Sequence, residues 1–158
     1  MELARRATPA DVDELTALVV AEHAELRTQR GGELWAAHAA PASRERLAAA
    51  VHDERALVLA GTIDGVVLGV ATVRAVDARG IGPVAVIDDL FVDPEARDVG
   101  VGAALIDEIE RWARALGCVG IDAIVLPGNR AAKNFFETHG LVARAISVHR
   151  RFAIPDER

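Results

Sequence analysis

Residues 84 to 117, VAVIDDLFVDPEARDVGVGAALIDEIERWARALG, constrain the fold most, because one short loop switches them from the period of a strand to that of a helix. Val84, Val86, Ile87, Leu90, Phe91 and Val92 form a nearly unbroken apolar run, the pattern of a strand covered on both faces. Asp88 and Asp89 interrupt it. Asp93-Pro94 ends the strand, since proline cannot donate to a ladder and restricts the residue before it. After a loop from Glu95 to Gly100, Val101, Leu105, Ile109, Trp112 and Leu116 fall on one face of a helix. Asp107 with Arg111 and Glu110 with Arg114 make i,i+4 pairs on its wet side, and Gly117 stands where a left-handed cap would close it.

The chemistry lies where loop meets helix. Gly100 and Gly102 carry no β-carbon, so the backbone there can approach a ligand closely. The first helical N–H groups lack intrahelical partners and form an anion site, to which Arg97 adds a charged fork suited to phosphate. A tight strand-to-helix turn would use the same two glycines. A P-loop fails for want of Lys-Ser or Lys-Thr after them, and a dinucleotide fingerprint fails because Leu105 stands at its third glycine.

The spacing that remains is R-x-x-G-x-G from Arg97 to Gly102, directly after Leu90-Phe91-Val92-Asp93-Pro94. It resembles the acetyl-CoA-binding motif of the Gcn5-related N-acetyltransferase (GNAT) family. The resemblance implies that Arg97, Asp98, Val99, Gly100, Val101, Gly102 and Ala103 hold the pyrophosphate of acetyl-CoA. It also implies that Leu90 and Val92 pair with the pantetheine arm, and that an N–H near Leu90 or Phe91 receives the oxyanion. A second stretch, NRAAKNFFETHGL over residues 129 to 141, resembles the family's N-x-x-A-x-x-x-Y-x-x-x-G-F helix through Asn129, Ala132 and Gly140. Phe136 occupies the tyrosine position and Leu141 the final phenylalanine, and the chain has no tyrosine at all. Asn129 is a natural helix N-cap; by resemblance it also bonds the pantetheine arm. Lys133, the only lysine, reads as a surface residue near enough to the site mouth to touch a CoA phosphate.

The rest of the chain fits an α+β domain. Its 158 residues suffice for one domain spanning 1 to 158. Net charge of -6 argues against nucleic acid, and the single cysteine excludes an internal disulfide. No signal peptide or apolar run of membrane-spanning length is present, so a cytoplasmic protein without a membrane partner is expected. The five histidines show no metal-ligand spacing, so no metal is expected.

Residues 2 to 7 read as an edge strand, and Thr8-Pro9 opens a helix from about Asp11. Gly31-Gly32 breaks that helix, and Pro41-Ala42-Ser43 starts another. Asp64-Gly65 turns a hairpin between residues 56–60 and 66–76. Residues 119–126 and 142–152 supply two later strands, and the last of these offers an edge for a homodimer. The resulting expectation is a GNAT-like mixed, mostly antiparallel sheet of six to seven strands flanked by four to five helices.

Transfer to an amine requires a proton acceptor, since an alkylammonium has a pKa of about 10.4. Asp88 and Asp89 are the candidates. Alternation lets only one face the thioester unless a bulge intervenes, and Asp88 is favoured because it shares parity with Leu90 and Val92 and because IDDLFV resembles the E-D-F-F-V strand of the family's diamine acetyltransferases. A solvated strand end or a salt bridge to a nearby arginine would account for the same acids. Phe136, as the departing thiolate's neighbour, cannot donate a proton. The resembled family places the acceptor against residues 22 to 52, where Glu22 and Trp35 are candidate contacts to a small-molecule amine; a solvated helix face and plain packing are their alternatives. Two other functions remain: a non-catalytic acyl-CoA-binding module, because of Phe136, and an N-acetyltransferase of proteins or peptides.

Overall fold

The computed structural model describes residue 1 and residues 3–155. Strand β1 (Ala4–Arg6) is the short edge strand expected from the sequence; Glu2 lies outside the described residues. Pro9–Asp11 makes a 3-10 turn into α1 (Val12–Arg27), tied down where the Thr8 amide donates to the Asp11 carboxylate at 2.7 Å. Arg5 grips the same carboxylate with two bonds of 2.8 and 2.9 Å and holds it well below the usual carboxylate range. Helices α2 (Gly32–His38) and α3 (Arg44–Val51) follow, the latter capped by the Ser43 hydroxyl, which accepts from the Arg46 amide.

The hairpin pairs β2 (Ala56–Ile63) with β3 (Val66–Ala78). Asp64 and Gly65 have φ of 49° and 82°, the positive pair that a two-residue turn needs to match strand twist. Strand β4 (Gly82–Val92) lies antiparallel to β3, and helix α4 (Val101–Ala115) then crosses to β5 (Ile121–Asp122), parallel to β4. Helix α5 (Arg130–Thr138) comes last. The sheet order is β1-β2-β3-β4-β5.

Among the described residues, five strands therefore replace the expected six to seven. Of residues 119–126 only Ile121 and Asp122 form a strand, so no long strand is left for residues 142–152 to join. That segment is not a strand; Val142, Ile146, Val148 and Phe152 are exposed, and Arg144 reaches back to pair with Asp122. No helix among the described residues is long and apolar enough to cross a membrane.

Alternation along the strands builds two cores. Leu57, Leu59, Ala71, Val73, Ala85 and Ile87 meet Val101, Leu105, Ile109 and Trp112 of α4, joined by Phe135 and Phe136 of α5. On the opposite face Val58, Ala60, Val70 and Phe91 meet Val12, Leu15 and Val19 of α1 and Leu47 of α3. One device sets the height of α4 over the sheet. A β-carbon on Gly61 would lie 2.5 Å from Cγ1 of Val101, and one on Gly69 3.0 Å from the same atom. Both strands omit a side chain where the first turn of α4 rests.

Candidate active site

Strand β4 carries one residue more than the strand opposite. Thr72 pairs with Asp89 and Val73 with Ile87, so Asp88 is the extra residue of a bulge. Before it, Ala85 and Ile87 face α4; after it, Leu90 and Val92 do, while Phe91 joins the α1/α3 core. Asp88 therefore does not share a face with Leu90 and Val92, contrary to the parity reading. It accepts a 2.8 Å bond from Nε of Arg74, which by alternation lies on the face of Thr72. The salt-bridge alternative describes Asp88 correctly.

The phase of the ladder shows which main-chain groups are open. The Asp93 amide donates to the Leu68 carbonyl at 2.8 Å. Antiparallel pairs alternate between bonded and non-bonded, so Phe91 is bonded to Val70, whereas Leu90 and Val92 turn N–H and C=O outward. Of the two amides named from sequence, only that of Leu90 is available. Strand β5 pairs no further than Val86, so from Ile87 onward this outer edge has no strand partner among the described residues. Side chains cover it instead. The Leu90 amide donates to Oε1 of Glu22 at 3.2 Å, and the Val92 carbonyl accepts from Nε of Arg97 at 2.9 Å. Arg97 also pairs with Glu25 at 3.2 Å and lies 5.3 Å over the Phe91 ring, where the sequence had it free for phosphate.

Beside this edge lies a buried polar cluster. Asp89 is 1% exposed and accepts from Nη2 of Arg46 at 2.7 Å and from the Thr72 hydroxyl, with Nε2 of His23 at 3.1 Å from its other oxygen. Burial alone would raise its pKa, but His23, Arg46 and Thr72 together bring it below the ordinary value. Glu22 shows the opposite balance. It is 7% exposed, and burial followed by the charge of Asp89 raises its pKa well above 4.5. Its Oε2 is buried and has no hydrogen-bond partner. The solvated-face reading of Glu22 is thus corrected. Trp35 sets its ring edge-on to His23 at 5.0 Å and so orients that histidine. Glu22, His23 and Asp89 bring atoms within 4.8 Å of one another, with Arg46 already supplying positive charge to Asp89.

The sequence reading missed His23, Arg46 and Thr72. The signal was Asp89 itself: an acid inside an apolar strand must find buried donors, and those had to come from elements stacked on it.

At the other end of the edge, α4 begins at Gly100 with φ 98°, no side-chain cap and no acid in its first turn. Asp98, at φ 65°, is a non-glycine held in the left-handed region, and Val99 is exposed. The N–H groups of Val101, Gly102 and Ala103 precede the first intrahelical bond, which Ala104 donates to Gly100 at 3.0 Å. Gly102 has a reason beyond ligand approach: a β-carbon there would lie 3.0 Å from Cε2 of Phe135. Phe136 packs beside Phe135 with ring centroids 5.3 Å apart. Asn129 caps α5 by accepting from the Ala132 amide at 3.1 Å, and Lys133 pairs loosely with Glu137 at 3.8 Å.

A helix start without a side-chain cap beside an edge with no strand partner is what a diphosphate-bearing thioester needs, and the protein is an acyl-CoA-dependent N-acyltransferase. It belongs to the acetyltransferase (GNAT) family, whose pattern it matches over residues 16–141. It is 34% identical over 119 residues to the aminoglycoside N(6')-acetyltransferase type 1 of Stenotrophomonas maltophilia, covering 72% of this chain and 69% of that one. A mutant of the BH1408 protein from Bacillus halodurans shares the fold with TM-score 0.81 at 22% identity, over 96% of this chain and 99% of that one. So does AAC(6')-Iy in complex with the bisubstrate analogue CoA-S-monomethyl-acetylneamine, with TM-score 0.70 at 18% identity over 96% and 97%.

Proposed function

We propose that the protein transfers the acetyl group of acetyl-CoA to a primary amine of a small cationic molecule, by direct attack of the amine on the thioester. The observation that carries this reading is the uncapped start of α4 next to the outward groups of Leu90 and Val92. The N–H groups of Val101, Gly102 and Ala103 would hold the diphosphate, with the loop from Asp98 to Gly100 shaping the turn and Lys133 at its rim. The outward groups of β4 would pair with the pantetheine amides, and the Leu90 N–H would receive the developing oxyanion.

A cationic acceptor suits the surroundings. Glu22 and Asp89 lie together between α1 and β4, and the relative from Stenotrophomonas maltophilia is named for acetylating aminoglycosides. Phe136 offers no proton to the leaving thiolate. A thiol of pKa about 8.5 leaves as the anion, so the reaction proceeds without the about 10²-fold or greater help of a general acid.

Titration calorimetry with acetyl-CoA, followed by CoA release over a panel of aminoglycosides, diamines and peptides, tests this directly. Binding, with turnover of free cationic amines, is the expected result. Absence of binding would overturn the reading, and acetylation confined to peptides would move the acceptor to proteins.

A further inference from the structure

We propose that Glu22 is the base that deprotonates the acceptor amine, and that the acyl donor itself releases it by taking the Leu90 amide from its carboxylate. This rests on the acetyl-transfer reading above.

Three observations carry it. First, the Leu90 N–H is the outward amide of β4 at the bulge, where the thioester carbonyl would sit, and Oε1 of Glu22 already occupies it at 3.2 Å. Carbonyl and carboxylate compete for one donor, so binding of the first displaces the second. Second, Oε2 of Glu22 is buried and has no partner, leaving a lone-pair site for one more donor such as an ammonium. Third, the neighbouring acids are already engaged. Asp89 is held by Arg46, Thr72 and His23, and Asp88 by Arg74, so each is fixed as an anion by an arginine, whereas Glu22 meets the Leu90 amide and the Asp89 carboxyl and has no arginine or lysine ion pair among the described residues.

The charged and titratable groups facing Glu22 divide by element: Asp89 on β4, Arg46 on α3, and His23 beside it on α1. Burial and Asp89 raise the affinity of Glu22 for a proton; the Leu90 amide and Arg46 lower it. Losing the Leu90 bond therefore makes Glu22 more basic at the moment the acyl donor arrives. Two adjacent carboxylates driven in opposite directions mark a division of labour, with Asp89 fixed as the anion and Glu22 left to move protons.

The acceptor's ammonium gives one proton to Glu22. The freed nitrogen pair attacks the thioester carbonyl carbon, the C–N bond forms, the C–S bond breaks, and its electron pair leaves on sulfur. The second nitrogen proton passes to that thiolate, giving the amide and CoA thiol, and Glu22 returns its proton to solvent.

The experiment uses the intact chain and Glu22→Gln, whose amide oxygen can still accept from Leu90. Calorimetry of acetyl-CoA binding in buffers of different ionisation enthalpy is run between about pH 5 and about pH 9, the range in which buried glutamates titrate. The wild type should take up a fraction of a proton on binding, the variant none, with affinities within about threefold. With an amine substrate the variant should lose about 10²-fold or more in kcat/KM and the limb of the pH profile that belongs to the base. No proton uptake by the wild type, or the same uptake or pH profile in E22Q, would overturn the assignment. These outcomes differ from loss of the function itself, in which the wild type would not bind acetyl-CoA. Should E22Q fail to fold by circular dichroism, wild-type proton uptake alone still decides.

Discussion

The two faces of β4 are built to different rules. Toward α4, Ala85, Ile87, Leu90 and Val92 contribute only hydrocarbon. Toward α1 and α3, the same strand contributes Asp88, Asp89 and Phe91. One bulged residue separates the halves: it reverses parity, so two consecutive acids lie on one face and the apolar face continues without a gap. The apolar face holds the fold together by burial, whereas the polar face requires each buried group to find a partner.

Removing the anion at the centre of the polar face should have the largest effect. Asp89→Ala should destabilise by about 3–5 kcal/mol, because it leaves the largely buried Arg46 without its counter-charge and takes the shared partner from His23 and Thr72. Chemical denaturation measures it, and a loss below about 1 kcal/mol would show that the cluster is not what holds α1 and α3 to β4. On the apolar side Leu105→Ala, fully buried under α4, should cost about 2–5 kcal/mol through an empty cavity but leave proton uptake on acetyl-CoA binding intact.

Gly102→Val tests the junction of the two functions of α4. With the Phe135 ring 3.0 Å from the missing β-carbon, overpacking should cost about 1–3 kcal/mol and weaken acetyl-CoA binding by shifting α5 against the helix start. Undiminished stability would mean that the ring simply swings aside.

Stability against pH separates the two acids on the polar face. Asp89 has a depressed folded pKa, so its contribution is present above its unfolded value and is lost as pH falls through the folded one. Glu22 has a raised folded pKa, so its contribution is complete below its unfolded value and is lost as pH rises through the folded one. Melting temperature should therefore decline as the pH climbs above about 5, and E22Q should flatten that decline. The smallest effect is expected at Asp88. Its partner Arg74 is half-exposed, so Asp88→Asn should change stability by less than about 1 kcal/mol and leave the pH-rate profile in place.

The apolar face was legible in the sequence, and the polar face was not, for a reason of distance along the chain. The spacing from Val101 to Trp112 records a helix period, and Asp64-Gly65 records turn chemistry; both are local. Among the partners of Asp89 and Leu90, His23, Arg46 and Glu22 lie 66, 43 and 68 residues away, and no short pattern ties them to β4. The parity argument for Asp88 failed because a bulge leaves no residue signature in an otherwise regular run. The C-terminal segment failed differently. Alternation from Val142 to Phe152 suits a strand, but a strand needs a neighbour, and β5 stops after two residues. Arg97 reads from sequence as a free phosphate ligand, whereas its engagement with Glu25 and Val92 depends on α1 lying across the edge.

The glycine pair beneath Val101 bears on ligand affinity from a distance. Since Gly61 and Gly69 fix how deeply the first turn of α4 sinks toward the strands, even one added methyl would act as a shim beneath the amides proposed to hold the diphosphate, tilting them without touching any atom of the coenzyme.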